Sequence, residues 1–186
     1  MPAAHAGSAL APPPRVTALP AGVGTDGFEV RYVADATNGI IWSFRYNAAS
    51  ASAYKWEFVG GPPLAAVVET ASAVTPAATE VDLSGPSLTL PALAGDFIIS
   101  HCYTGKHPTG GNYVRGVLSV AGAVITSTYL YAVSYLAGYD SSPASAGYAA
   151  TGLAASSVVK MRYYSSAGTT AEVRSRRLAV TPIRVG

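Results

Sequence analysis

The sequence is poor in cysteine and in charge. Its single cysteine, Cys102, excludes a fold held together by internal disulfides. Charged residues make up 12% of the 186 residues, whereas hydrophobic residues make up 49% and the mean hydropathy is +0.28. The usual charged fraction of a soluble domain is about 25%. Because a lone monomer of this composition would expose an unusually apolar surface, we expect extensive contacts between subunits.

Motifs that carry catalysis are missing from the sequence. It contains no G-x-S-x-G, no H-E-x-x-H and no P-loop, and its ten carboxylates show no spacing that suggests an acid and base pair. The segment HCYTGKH brings His101, Cys102 and His107 near one another, but a metal site needs three or four convergent ligands and no second ligand cluster exists. We therefore expect a strand face plus a loop there, with no catalytic residue, no cofactor and no metal.

The net charge of +2 is too small to indicate nucleic-acid binding. The charges are nevertheless unevenly placed, because no lysine or arginine lies between Lys55 and Lys106, while the C-terminal part is basic. The acidic segment between Lys55 and Lys106 and the basic C-terminal part could therefore form ion pairs with each other.

The segment 116–139 contains no charged residue and is long enough for a transmembrane helix. Against a helix stand four tyrosines, Gly122 and the alternation of large and small residues from Tyr129 to Tyr135. These features favour two buried strands, so we expect no insertion into a membrane.

Residues 26–63 carry most of the large aromatic side chains in an alternating pattern typical of three antiparallel strands. Charged residues occupy the alternate positions, which indicates one buried and one wet face. Asn38-Gly39 predicts the turn between the first two strands, and the segment from Gly60 to Pro63 ends the third strand. The expected core of this meander consists of Phe28, Trp42, Phe44, Trp56 and Phe58.

The order and spacing of residues in this segment, TDGFEVRYVADATNGIIWSFRYNAASASAYKWEFVGGPPL, resemble a module of tail-fibre and virion-surface proteins of tailed bacteriophages. The resemblance is carried by DG-x-EV-x-Y, ATNG-x-x-W, RYNA and YKWEFVGG, and covers about a fifth of the chain. A weaker similarity lies in AEVRSRRLAVTPIRVG, which resembles the last strands of the globular heads that follow such modules. The resemblance implies a trimeric β-sandwich head.

The remaining sequence predicts short strands and no helix. Eight strands are expected, near residues 65–71, 78–82, 87–91, 96–103, 113–120, 123–135, 157–164 and 171–185. Turn residues separate them, including Ser84-Gly85-Pro86 and the segment 138–147. The predicted fold is therefore all-β, with a small three-stranded antiparallel meander at residues 25–63 and a jelly-roll-like β-sandwich head at residues 64–186.

The first 24 residues are rich in proline, alanine and glycine, a composition that favours an extended chain. They lack the basic region and apolar run of a signal peptide. We interpret residues 1–24 as an arm docked on another surface, and expect Pro12, Pro13, Pro14 and Arg15 to anchor the protein to a virion.

Tyrosine is abundant, with twelve copies, and it suits recognition because it offers a rigid ring and a hydroxyl at low entropic cost. Gly-, Ser- and Pro-rich loops at residues 104–112 and 138–149 are candidates for binding a receptor. The predicted contact residues are Tyr103, His107, Tyr113, Tyr139 and Tyr148.

Two functions follow as hypotheses. In the first, the chain is a non-enzymatic, homotrimeric tail fibre or receptor-binding protein of a tailed phage, which contacts a host glycan or protein. In the second, it is a capsid decoration or head-fibre protein that attaches to other virion proteins through its N-terminal arm. Both place the protein on the virion.

Overall fold

A computed structural model describes residues 11–21, 25–77, 79–138, 140–141, 145–166 and 168–186. These residues form strands and connecting loops without a helix, which confirms the all-β prediction. The strands are β1 Arg15–Val16, β2 Glu29–Asp35, β3 Ile40–Tyr46, β4 Trp56–Gly60, β5 Leu64–Val68, β6 Ser72–Val74, β7 Val81–Thr89, β8 Gly95–Lys106, β9 Asn112–Val120, β10 Ala123–Ser134, β11 Asp140–Ser141, β12 Ala146–Leu153, β13 Val158–Ser165 and β14 Ala171–Val185. Within these ranges no helix is long and apolar enough to cross a membrane.

The strands form two sheets that pack face to face. The larger sheet has the order β1-β2-β3-β4-β14-β8-β11, with β5 and β6 also paired to β14 and β12 also paired to β8. The smaller sheet has the order β10-β9-β13-β7. The pairings are antiparallel except for the parallel pair of β1 and β2.

The strand order is that of a jelly roll. We count β5 with β6 as the first strand of the head, then β7, β8, β9, β10, β12, β13 and β14 as the second to the eighth. One sheet then contains the first, eighth, third and sixth strands side by side, and the other contains the second, seventh, fourth and fifth. This alternation between two sheets is the jelly-roll arrangement of two Greek keys. It confirms the predicted architecture of the head.

Four strands of the head differ from the sequence-based prediction, and two of these, β6 and β11, are short strands that the pattern does not predict. The expected turn at Ser84-Gly85-Pro86 lies inside β7, where the pairing with β13 shifts register between Lys160 and Arg162, so the two predicted strands are one irregular strand. The first half of strand β12, residues 146–149, lies within the segment predicted to be a loop, and the glycine and alanine residues of β12 give no alternating pattern that predicts a strand. Pairing with β8 makes it a strand.

The meander forms as predicted and continues the larger sheet. Strand β4 pairs with the last residues of β14, at Arg184 and Val185, beside the part of β14 that pairs with β5. Trp42, Phe44 and Trp56 are buried in the same core as the head, and Phe58 packs against that core. Phe28 differs from the prediction, since it is 37% exposed just before β2 and touches Trp56 edge-on at 6.3 Å.

Between the two sheets, Tyr103 on β8 spans the core of the head. Its hydroxyl lies 2.8 Å from the carbonyl oxygens of Val114 on β9 and Leu130 on β10, and donates a hydrogen bond to one of them at a time. Its ring occupies the space that a side chain at Gly116 would need. Burial raises the pKa of Tyr103, so the hydroxyl stays a donor at physiological pH.

We expect Trp42→Ala to lower the free energy of unfolding by roughly 3–5 kcal/mol, the range for deleting a large buried aromatic side chain. Trp42 is fully buried, packs edge-on against Phe44 and Phe58, and donates from Nε1 to the carbonyl of Pro62 at 2.8 Å. Chemical denaturation measures the change. Val59→Ala is the control, because Val59 is 46% exposed on β4, and an equal loss in both variants would contradict the buried position of Trp42.

We expect stability to fall as the pH drops from about 6.5 to 4, because of His101 on β8. This side chain is 2% exposed, and neither ring nitrogen has a hydrogen-bond partner among the residues described. Burial is the largest influence on its pKa and lowers it to about 4, while the nearby backbone of Thr128, which forms no well-aligned hydrogen bond with the ring, acts in the opposite direction. The unfolded chain therefore binds a proton in this window that the folded chain does not, which costs on the order of 3 kcal/mol.

Unfolding curves from pH 4 to 7 for the natural chain and for His101→Leu measure the loss of stability that His101 causes at low pH. The leucine variant keeps every carboxylate that also titrates, so the difference between the two curves isolates His101. Parallel curves would show that the imidazole does not titrate in this range.

Candidate functional site

The predicted receptor-contact residues lie in different parts of the fold. Tyr103 and His107 are buried, so their assignment to a contact loop is wrong. Tyr148 lies on β12, half-buried against the core, rather than in a loop. Tyr113 lies on the outer face of the smaller sheet, and Tyr139 is outside the described residues.

The buried imidazole of His107 has a structural role. Its Nε2 lies 3.0 Å from the carbonyl of Ser166 and 3.1 Å from Oγ1 of Thr169, while its Nδ1 accepts from the backbone N–H of Thr109 at 3.1 Å. These contacts tie the end of β8 to the connection between β13 and β14. HCYTGK is the end of β8, where His101 points inward and Cys102 outward, and His107 follows the strand. No group of three metal-ligating side chains occurs in the described ranges.

The proline anchor lies only partly outside the body. Arg15 and Val16 add β1 to the edge of β2, and the carbonyl of Pro14 accepts from the N–H of Arg31 at 2.8 Å. Pro12, Pro14 and Arg15 remain exposed, and Pro13 is half-buried. This part of the predicted arm therefore covers a sheet edge of its own chain, as edge strands commonly require.

The outer side of the smaller sheet carries a cluster that we call the tyrosine face, consisting of Tyr113, Arg115, Tyr129, Tyr131 and Tyr164. Pairing across the strands places Tyr131 of β10 and Tyr164 of β13 directly on either side of Arg115 of β9. Their inward neighbours, including Val114 and Tyr163, fill the core. Packing of the inner face thus fixes which side chains point outward.

Edge-on contacts hold the rings of the tyrosine face in place. Tyr113 and Tyr131 are 5.2 Å apart between ring centroids with an interplanar angle of 71°, and Tyr129 and Tyr131 are 6.3 Å apart at 66°. The guanidinium carbon of Arg115 lies 4.3 Å from the ring centroid of Tyr129 and 4.7 Å from that of Tyr164. Arg115 is therefore stacked between two rings, an arrangement stabilised by cation–π attraction.

Glu80, just before β7, neutralises Arg115. Its side chain is 9% exposed and forms an ion pair with the guanidinium, whose own side chain is 20% exposed. Burial acts to raise the pKa of Glu80, but its backbone hydrogen bond and the charge of Arg115 outweigh this and lower the pKa. Burial and a hydrogen bond to Glu80 raise the pKa of Tyr129. The ring hydroxyl and the carboxylate thus share one hydrogen-bond network.

A polar hollow of about 180 Å³ lies on the same face, farther along β9 and β13. It is lined by Asp82, Ser119, Gly122, Lys160 and Arg162. Lys160 and Arg162 both pair with Asp82, at 2.5 and 2.9 Å. The hydroxyl of Ser119 is fully buried at the hollow and has no hydrogen-bond partner among the described residues.

A larger open cleft of about 540 Å³ lies at one end of the sandwich, between β6, the end of β8 and the start of β14. Its lining is mostly alanine, glycine and proline, with Lys106 and Glu172 as the charged side chains. This lining contains no aromatic side chain. The tyrosine face is therefore the better candidate for recognition, because it combines fixed rings with charged and hydroxyl groups.

The alternating pattern of the sequence predicts part of the tyrosine face. Tyr113 was predicted as a contact residue, and the pattern from Tyr129 to Tyr135 predicted a strand. The roles of Arg115 and Glu80 were missed, because 35 positions separate them and only the pairing of β9, β13 and β7 brings them together.

No protein-family model matches the chain, and no curated protein sequence matches it. Among solved structures, the chain is similar to that of infectious bursal disease virus Gx strain, with 13% identity and a TM-score of 0.42 over 76% of this chain and 40% of that chain. It is also similar to the VP2 subviral particle of the same virus, with 13% identity and a TM-score of 0.40 over 76% of this chain and 39% of that chain.

The chain thus spans about two fifths of the length of the viral chains it matches. Their TM-scores lie below 0.5, and we carry no function over from them. The resemblance of residues 25–63 to a phage module stays a prediction from the sequence.

We expect Glu80→Gln to lower the free energy of unfolding by roughly 1–3 kcal/mol, because it leaves the Arg115 guanidinium without its charged partner in a mostly buried place. Asp82→Asn is the control, since the Asp82 side chain is 49% exposed and its pairs are worth less than about 1 kcal/mol. Urea denaturation at pH 7 measures both. Equal losses would contradict the network around Arg115.

Proposed function

We propose that the protein is a non-enzymatic structural protein of a tailed-phage virion, a trimeric tail fibre or receptor-binding protein that contacts the host through the tyrosine face. The observation that carries this proposal is the set of tyrosine rings fixed on the outer side of a rigid sheet. Rings that are immobilised before binding lose little conformational entropy when a partner arrives. Such a surface suits recognition rather than chemistry.

Two further features support a place on the virion. Residues 25–63 resemble, in order and spacing, a module of tail-fibre and virion-surface proteins. The jelly roll is a fold used by viral capsid and lectin domains among others, which is an analogy of fold alone.

Capsid decoration is the second candidate, and the N-terminal segment favours it. Pro12, Pro14 and Arg15 are exposed beside the sheet edge that β1 covers, where a neighbouring virion protein could contact them. An extended, proline-rich segment can place many backbone groups along such a neighbour.

Negative-stain microscopy with a labelled antibody against the protein tests its location on particles of the virus that encodes it. We expect label on the tail. Label spread over the shell would favour capsid decoration, and particles without label would contradict both candidates.

A triple variant in which Pro12, Pro13 and Pro14 are changed to serine tests the anchor. We expect it to fold but to be lost from purified particles, because the backbone pairing of β1 needs no proline ring whereas the proposed contacts do. Circular dichroism checks folding and immunoblotting of particles measures incorporation. Normal incorporation would contradict the anchor.

We also expect a homotrimer. The low charge supports it, as do Val67 and Ile98, which are 53% and 47% exposed on the outer face of the larger sheet and would be covered by a second copy. Analytical ultracentrifugation at micromolar concentration measures the mass. Ile98→Lys should reduce the trimer fraction, whereas Val158→Lys on the other sheet should not, and a stable monomer of the natural chain would contradict the prediction.

A further inference from the structure

We propose that the tyrosine face and the adjoining polar hollow form one binding groove for an oligosaccharide. The inference rests on the proposed function, and it names the chemical class that this surface recognises. It places the contact site on a sheet face, whereas the sequence-based prediction places it in loops at residues 104–112 and 138–149.

The aromatic end of the groove offers a platform for a sugar ring. Tyr131 is 45% exposed, and its neighbours Tyr113 and Tyr129 contact it edge-on, so its orientation is fixed while part of its surface stays open. The C–H groups of a pyranose present an apolar, slightly positive face, which is attracted to the negative face of an aromatic ring.

The polar hollow at the other end of the groove offers both hydrogen-bond donors and hydrogen-bond acceptors. Asp82 supplies acceptors, Lys160 and Arg162 supply donors, and the buried Ser119 hydroxyl can both donate and accept. Sugar hydroxyls likewise donate and accept. A ligand hydroxyl in this hollow would give Ser119 the hydrogen-bond partner that it does not have among the described residues.

The two ends lie on one strand face at a spacing that suits a chain of sugars. Tyr113, Arg115, Val117 and Ser119 alternate with core residues along β9, and at about 3.3 Å per residue they extend over roughly 20 Å, although Val117, between the two ends, is itself fully buried. A groove of this length fits an oligosaccharide better than a single sugar. Arg115, which is part of the tyrosine face, is held by Glu80 and by two rings and presents a fixed donor at the aromatic end.

The charges of the groove favour a sugar over a nucleic acid. Arg115 pairs with Glu80, and Lys160 and Arg162 pair with Asp82, so three cations face two carboxylates at close range. Binding to phosphate backbones instead requires cations that are free to replace counterions. Tyrosine and arginine are also common in protein-binding hot spots, so the experiment below includes a protein partner as one of its outcomes.

The test uses the full chain on a printed array of purified bacterial surface polysaccharides, with maltohexaose and chitohexaose as defined neutral oligosaccharides. We expect the natural chain to bind at least one saccharide. Tyr131→Ala should weaken that binding about tenfold or more, and Ser119→Val should also weaken it. Tyr131→Phe should retain most of it, because the ring remains.

The matched control is Phe28→Ala, because Phe28 is a similarly exposed aromatic at 37% that also touches another ring edge-on, but lies before β2 in the other sheet. It should bind like the natural chain. Circular dichroism and thermal unfolding of each variant separate lost binding from lost folding.

Three results would overturn the proposal: no saccharide bound by the natural chain, equal binding by Tyr131→Ala, or binding to intact bacteria that survives periodate oxidation but is lost after protease treatment. The last would assign the face to a protein partner. If the antibody labels virions but the protein binds no saccharide, this inference is wrong and the proposed function stands. If the protein binds a saccharide but is absent from virions, the proposed function is wrong.

Discussion

The position of Tyr103 between the two sheets is the constraint on which the arrangement of the head depends. The side chain starts on β8 of the larger sheet and reaches backbone carbonyls of β9 and β10 in the smaller one, at 2.8 Å from each. The ring fits because Gly116 has no side chain, since a Cβ there would lie 2.5 Å from it. This contact joins the two sheets and requires Gly116 of β9 to face the core.

The phase of β9 determines the outer surface. When Val114 and Leu118 fill the core, Tyr113 and Arg115 have to point outward, and the antiparallel partners Tyr131 and Tyr164 point the same way. The stacking of Arg115 and its pairing with Glu80 then hold the rings. The rigidity of the tyrosine face is thus a consequence of core packing on the opposite side of the sheet.

The sequence predicted those parts of the fold in which alternation is strong. Alternation of large apolar and polar residues predicts which side chains are buried in β3 and β4. It also predicts the long strands β10 and β14. Strand β12 was missed because Gly147 and its alanines have no large side chain to alternate, and tertiary pairing alone makes it a strand. The prediction for Tyr103 is wrong because tyrosine occurs both in protein cores and on surfaces. Its burial depends on the two carbonyl acceptors, which lie on other strands. The pair of Arg115 and Glu80 depends on the strand order, which local sequence does not contain.

The central claim is that recognition takes place on the outer face of the smaller sheet. It is tested most directly by titrating the isotopically labelled protein with a saccharide selected on the array, while backbone amide shifts are followed by nuclear magnetic resonance. The account predicts that the largest shifts cluster at residues 113–119, 129–133 and 160–164. Shifts confined to residues 104–112 or to β12 would contradict it and return the binding site to the loops or the larger sheet.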